Sequence, residues 1–255
     1  MLRAFSTAAT GMTAQQMVVD TIANNLANIN TPGFKKSQID FQDLMYIKLQ
    51  EPDENVPSGF EIGSGVRAAG TLKVFSPGEM DNTNRSLDIA IQGDGFLSVT
   101  GTDKTYYTRD GSLRIDAQGR LCTSSGLPIE PVITIPSDAR SITINSDGEI
   151  TVFSGSSNTA TSVGTIALVR FANASGLTSE GRNLFSETPS SGAPISGTAG
   201  ESGFGAIQQG LLEKSNVQMV TELVNLITAQ RAYEINSRAI KAGDEMLTTT
   251  NRLIG

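Results

Sequence analysis

Hydrophobic positions at both ends of the chain recur every seven residues. Near the N-terminus Phe5, Met12, Val19 and Leu26 form one row, and Ala8, Gln15, Ile22 and Ile29 form a second row three residues further on. Together they make an a/d-like seam with one polar interruption, the pattern of a helix that buries one stripe. Thr31-Pro32-Gly33 ends it: the proline ring blocks continuation, and Pro32 and Gly33 mark a hinge where the chain turns. The C-terminal seam is longer, with Met219, Leu226, Tyr233, Ile240, Leu247 and Ile254 at the same interval, widened by Ala232, Ala239, Met246 and Leu253. Ser215-Asn216-Val217-Gln218 fits a capping box, so a helix is predicted over 216–252.

Between the ends the period falls to two. Leu87, Ile89 and Ile91 alternate with Asp88, Ala90 and Gln92, and Ile142/Ile144 and Ile150/Val152 flank Asp147-Gly148. A further strand is predicted over 163–171. Turn signals at Gly93-Asp94-Gly95, Asp110-Gly111, Gln118-Gly119 and Asp147-Gly148 have the spacing of an all-β sandwich or barrel. Glu51–Asn55 and Pro57-Ser58-Gly59 suggest an extended linker, and 188–205 is rich in Ser, Gly and Pro. The expected fold is mixed α and β. An N-terminal helix (1–33), an extended linker or insertion (34–70), a central all-β domain (71–187), a return linker (188–215) and a C-terminal helix (216–255) follow in order, the two helices forming a coiled-coil-like layer. Pairing the ends with each other, or with neighbouring subunits, is the simplest way to bury both seams.

Composition then narrows the chemistry. The 255 residues include 19 Lys+Arg against 26 Asp+Glu, a formal net charge of −7, with no His, no Trp and one Cys. Without His there is no Ser-His-Asp or Cys-His nucleophile system and no imidazole metal ligand. A lone Cys122 closes no intrachain disulfide and builds no Cys-rich zinc site, and its place between Leu121 and Thr123 suits a small core residue. An acidic chain lacks the concentrated basic surface of a nucleic-acid binder. No stretch approaches a transmembrane span, and Gln15, Gln16 and Asp20 fall too early for a cleavable secretory leader. Gly93-Asp94-Gly95 lacks the third glycine of a dinucleotide fingerprint and reads as a tight turn. Asp110, Asp116 and Asp147 sit beside glycines without completing a calcium loop. A two-carboxylate hydrolase remains, but four Tyr and no Trp give little to stack on a sugar. No catalytic residue, metal site or cofactor is therefore expected.

The asparagines Asn24, Asn25, Asn28 and Asn30 are the oddest local feature, since Asn is a weak helix former. They fit either a fraying helix end or amides that bridge to neighbouring helices and fix register, as a buried Asn does in coiled coils. For the seams, an ordinary amphipathic helix packed on its own domain competes with an assembly surface. Gln15 and Gly243 interrupt them, which makes each weak as a lone helix. The expected assembly residues are Phe5, Met12, Val19, Ile22, Leu26, Asn24, Asn25 and Asn28 at one end, and Met219, Leu226, Tyr233, Ile240 and Leu247 at the other.

Ala23-Asn24-Asn25-Leu26-Ala27-Asn28-Ile29-Asn30-Thr31-Pro32-Gly33-Phe34-Lys35 closely resembles the N-terminal signature of the bacterial flagellar rod and hook family. Ala229-Gln230-Arg231-Ala232-Tyr233-Glu234-Ile235-Asn236-Ser237 is similar to its C-terminal signature. Gln209–Val217, Glu222–Ile227, Ser190–Pro194, Ile91–Phe96 and Tyr107–Ser112 look most like members that build the distal rod, as does the insertion over 46–66. The resemblance implies a structural, non-enzymatic subunit of a helical homo-oligomeric tube. Terminal helices line a central channel and β domains face outward. It further implies proximal-rod and hook proteins as partners at the two ends, envelope bushing rings around the tube, torque transmission, and export through the flagellar type III apparatus without a cleavable leader. The implied location is the periplasmic part of the basal body, with no nucleic acid bound and no membrane insertion. A proximal-rod or hook subunit is the nearest alternative. A secreted adhesin or carbohydrate-binding β module with helical tails is the alternative from another class.

Overall fold

The computed structural model describes residues 2–50, 59–101, 103–154, 160–201 and 203–254. The acidic run Glu51–Asn55 and the Pro57-Ser58 pair lie outside the described residues, as do the side chains of Leu253 and Ile254. Two compact units are built from interleaved stretches. The first comprises Met1–Ala27, Ser37–Lys73 and Gln218–Gly255, and the second Asn28–Lys36 and Val74–Val217.

In the first unit, helix α1 (Leu2–Ala27) and helix α2 (Met219–Ile254) pack along each other. α1 contains no proline and stops short of Pro32, where the missing N–H and fixed φ would break the ladder. α2 begins at Met219, with the Glu222 amide donating to the Gln218 carbonyl at 3.0 Å. Ser215 is not its cap. The Ser215 Oγ accepts instead from the Val217 amide at 3.3 Å, a local turn that precedes the helix.

The described residues of 34–70, the stretch expected as an extended linker or insertion, lie mostly in paired strands. Ser37–Asp43 runs antiparallel to Val66–Lys73 with a bulge between Asp40 and Phe41, and Tyr46–Gln50 pairs with Phe60–Gly63. Both faces of these ribbons are mostly exposed, so no buried face imposed a period of two on the sequence. The return stretch 188–215 likewise holds the strands Ile195–Thr198, Ala206–Gln209 and Leu211–Glu213.

The second unit is the β region. Its largest sheet runs Thr178–Gly181, Leu184–Ser186, Thr105–Thr108, Phe96–Thr100, Ala167–Arg170, Ile195–Thr198, with Ile129–Glu130 also paired to Phe96–Thr100. A three-stranded meander (Ala139–Ile144, Glu149–Ser154, Ala160–Thr165) turns at Asp147-Gly148, where Gly148 has φ +83°. Two further pairs join distant parts of the chain: Ile89–Gln92 with Ala206–Gln209, and Met80–Asn82 with Leu211–Glu213. No closed barrel forms among these sheets.

Leu97, Val99, Leu113, Leu121, Ile150 and Leu168 centre one core, and Phe96, Tyr107, Phe171 and Phe185 a second. In the aromatic core Tyr107 meets Phe171 edge-on at 4.7 Å and Phe75 meets Phe96 at 5.2 Å, the geometry that ring quadrupoles prefer. The alternation expected around Leu87–Gln92 is absent in burial, because Asp88 and Ala90 are as deeply covered as Ile89 and Ile91. Packing on both faces of this strand replaces the half-buried pattern. Cys122 is buried, and its thiol contacts the Arg114 carbonyl at 3.4 Å. Burial pushes the thiol's pKa up, and the nearby Asp116 adds to this.

Candidate assembly interface

The α1 seam faces inward within its unit. Ile22 is buried, and Phe5, Met12, Val19 and Leu26 are half-buried. On α2, Leu226, Ile240 and Leu247 are half-buried, whereas Met219 and Tyr233 are exposed. The second row of the α2 seam is not Ala232, Ala239 and Met246, of which only Ala232 is partly covered. It is Glu222, Ala229, Asn236 and Gly243, also seven residues apart and all buried or half-buried.

These are small or polar residues, and their size explains the choice. A Cβ on Gly243 would lie 2.5 Å from Cε1 of Phe5, and one on Gly11 would lie 2.9 Å from Nδ2 of Asn236. At each of these positions one helix lacks a side chain and the other fills the space with Phe5 or Asn236, as small residues at helix contacts permit. Gly243, which interrupts the seam on a hydropathy reading, is part of it. Ala14 on α1 and Ala229 on α2 are buried as well.

The asparagines divide. Asn25 is buried and clasps the backbone of Ser37: its Nδ2 donates to the Ser37 carbonyl and its Oδ1 accepts from the Ser37 amide, both at 2.9 Å. This pair of bonds fastens the first strand to α1 within one chain. Asn28 Oδ1 accepts from the Thr31 hydroxyl at 3.1 Å, and the Thr31 amide donates to the Asn28 carbonyl at 3.2 Å, which shapes the turn after α1. Asn24 is exposed on α1. In the turn after α1, Gly33 has φ +68°, and a Cβ there would lie 2.7 Å from the Asp110 amide nitrogen, so the backbone tolerates only glycine. Pro32 is half-buried, and its carbonyl accepts from Asn183 Nδ2 at 2.9 Å.

A second apolar face of α2 points to solvent. Val220, Leu223, Val224 and Ile227 stand exposed at helical spacing, with Ile235 and Met246 further along. Beside Tyr233 a groove of about 530 Å³ runs between the helices, lined by Gln16, Val19, Gln230, Tyr233 and Glu234. The ribbon after α1 adds Met45, Tyr46, Leu49 and Phe60, with Met45 84% exposed. Apolar surface of this extent marks sites of protein–protein contact. No helix among the described residues is long and apolar enough to cross a membrane.

Three stretches of the chain match known families: 5–35 matches "Flagella basal body rod protein", 90–152 "Flagellar hook protein FlgE/F/G D1 domain", and 208–253 "Flagellar basal body rod FlgEFG protein C-terminal". The chain is similar over nearly its whole length to proteins named flagellar basal-body rod protein FlgG. Identity is 47% to that of Borreliella burgdorferi (99% of each chain), 45% to that of Buchnera aphidicola subsp. Acyrthosiphon pisum (96% of each) and 35% to that of Bacillus subtilis (97% of each). On matches of this length and identity, the chain belongs to the flagellar basal-body rod protein family.

Proposed function

We propose that this chain is a structural subunit of the distal flagellar rod, self-assembling into a helical tube that joins proximal rod to hook and transmits motor torque. The observation that carries the reading is the row Val220, Leu223, Val224 and Ile227. It is left in solvent on a helix whose opposite seam is already occupied by α1. A helix with apolar residues on two faces has one face to offer a neighbour. Contacts between unlike surfaces of identical subunits, when they do not close into a ring, generate an open helical filament. Coiled-coil packing of the Phe5–Leu26 and Leu226–Leu247 rows, within or between subunits, is part of the same proposal.

The matches over the full chain to proteins named for the rod support this reading over a secreted adhesin or a carboxylate hydrolase. The proposed partners are further copies of the chain, proximal-rod and hook proteins at the two ends, the envelope bushing rings and the flagellar export apparatus. The proposed site is the periplasmic span of the basal body. Electron microscopy of the concentrated purified protein tests the proposal. Straight tubes that vanish when residues 1–27 and 218–255 are removed are expected, and persistent monomers of the full chain at high concentration would overturn it.

A further inference from the structure

The chain crosses into or out of its second unit after Ala27, Lys36, Lys73 and Val217. Three of these four crossings are fastened together on the second unit's side. The Val74 amide donates to the Lys36 carbonyl at 3.0 Å, and the Lys36 amide donates to Asn216 Oδ1 at 2.8 Å. Asn216 Nδ2 in turn donates to the carbonyls of Val74 at 2.8 Å and Ser76 at 3.2 Å. Behind this collar lies a buried ionic cluster. Glu213, 1% exposed, receives Lys35 Nζ at Oε1, and the same oxygen accepts from the Gly78 amide at 3.0 Å. Arg109 Nε stands 3.1 Å from Glu213 Oε2 without an aligned hydrogen bond, while its Nη1 donates to the Gly93 and Gly95 carbonyls. Lys35 Nζ also donates to the Ser76 carbonyl at 2.8 Å.

Two buried cations thus share one carboxylate. Burial presses the Lys35 pKa down, Glu213 opposes this, and the nearby Arg109 adds to the lowering. Buried ion pairs contribute little net stability compared with apolar replacements, yet removing one partner is strongly destabilising. What such a cluster supplies is discrimination between arrangements of the chain. Lys35 and Arg109 come from early sequence, whereas Glu213 lies on the last strand of the unit, Leu211–Glu213, which pairs back onto Met80–Asn82. Until that strand arrives the two cations have no shared counter-ion, and taking both out of water is opposed by desolvation as well as by their like charge.

We propose that Glu213 is a closure lock that sets the order of folding. Desolvation and like-charge repulsion oppose burying Lys35 beside Arg109, so the crossing next to Lys35 stays open until the final strand supplies the carboxylate, and the collar then closes in one step. The lock belongs to the second unit alone and is independent of the assembly proposed above.

Pulse-labelled hydrogen exchange during refolding of the dilute full-length chain tests it. In the wild type the amides of Gly33, Lys36 and Gly78 gain protection later than those of Phe96–Thr100 and Ala167–Arg170. Glu213→Gln lengthens that lag at least tenfold or leaves the collar unprotected. Lys35→Met combined with Glu213→Gln removes the repulsion and shortens the lag at least threefold relative to Glu213→Gln alone. If Glu213→Gln does not fold, the double variant decides: its folding with a protected collar supports the lock, and its failure to fold overturns it. Collar and sheet protected together in the wild type, or a double variant as slow as the single one, would also overturn it.

Discussion

Gly243 of α2 lies directly against the ring of Phe5 of α1, close enough that a methyl group at 243 would sit 2.5 Å from Cε1. Glycine inside a helix costs about 1 kcal/mol relative to alanine, so a free-standing α2 would gain from Gly243→Ala. In the folded chain the added methyl forces the ring aside, and overpacking of this kind costs roughly 1–3 kcal/mol. Gly243→Ala is therefore expected to lower the urea midpoint of the first unit. Gly243→Ala with Phe5→Leu is expected to recover most of the loss. A single variant more stable than wild type would place Phe5 elsewhere.

Asn25 carries a second prediction, because both of its hydrogen bonds go to one residue of the first strand. Asn25→Ala leaves the Ser37 amide and carbonyl without these partners, at about 1–3 kcal/mol. Asn25→Asp keeps the acceptor, loses the donor and buries a charge, so it is expected to be at least as damaging. Exchange of the Ser37 amide reports the effect directly. Unchanged exchange in either variant would contradict the assignment.

These two contacts also show what the sequence could and could not reveal. Phe5, Ile22, Leu226 and Ile240 were legible because bulky apolar residues mark a seam through their period, and all four turn inward. Gly11, Gly243 and Asn236 were not, since a hydropathy pattern treats small and polar residues as interruptions, whereas close helix approach requires them. The ribbons over 37–73 escaped for a related reason: with both faces largely in solvent, neither face needed to be apolar. Lys35 stood in plain view at the end of the N-terminal signature, and Glu213 within the segment Gln209–Val217. Their partnership spans most of the chain, and no local period encodes a contact at that separation. The Asp147-Gly148 turn, by contrast, is local chemistry and was readable as such.

The pair Lys104–Glu180 gives a pH-dependent prediction. Hydrogen bonds from Lys104 Nζ at 2.7 Å and Ser186 Oγ at 2.8 Å hold the Glu180 carboxyl below its ordinary range, and Lys104 is raised by the same contact. A carboxylate with a depressed folded pKa contributes stability that is fully present above its unfolded pKa. That contribution is lost as pH falls through the folded value. The contribution is small, because the pair is solvent-exposed and salt-screened. Carboxyl NMR titration of Lys104→Met is expected to move Glu180 back toward the usual glutamate value. No movement would mean that the pair does not persist in solution.

The two faces of α2 make separable predictions about assembly. Val224 and Ile227 point to solvent within their own unit, whereas Ile240 is half-buried against its neighbours. Val224→Asp and Ile227→Asp are each expected to leave the melting temperature of dilute protein within about 2 °C of wild type, because exposed positions shift stability by roughly ±0.5 kcal/mol or less. Each removes an apolar contact of about 1.5–3 kcal/mol from the proposed interface and sets a charge in its place. At about 1.4 kcal/mol per tenfold, that raises the critical concentration for tubes by ten- to a hundredfold or more. Ile240→Asp differs because it disturbs the α1–α2 seam, so monomer stability and assembly fall together. Sedimentation of concentrated samples beside calorimetry of dilute ones separates the cases. If Val224→Asp and Ile227→Asp form tubes at the wild-type concentration, the outward face of α2 is not the contact between subunits.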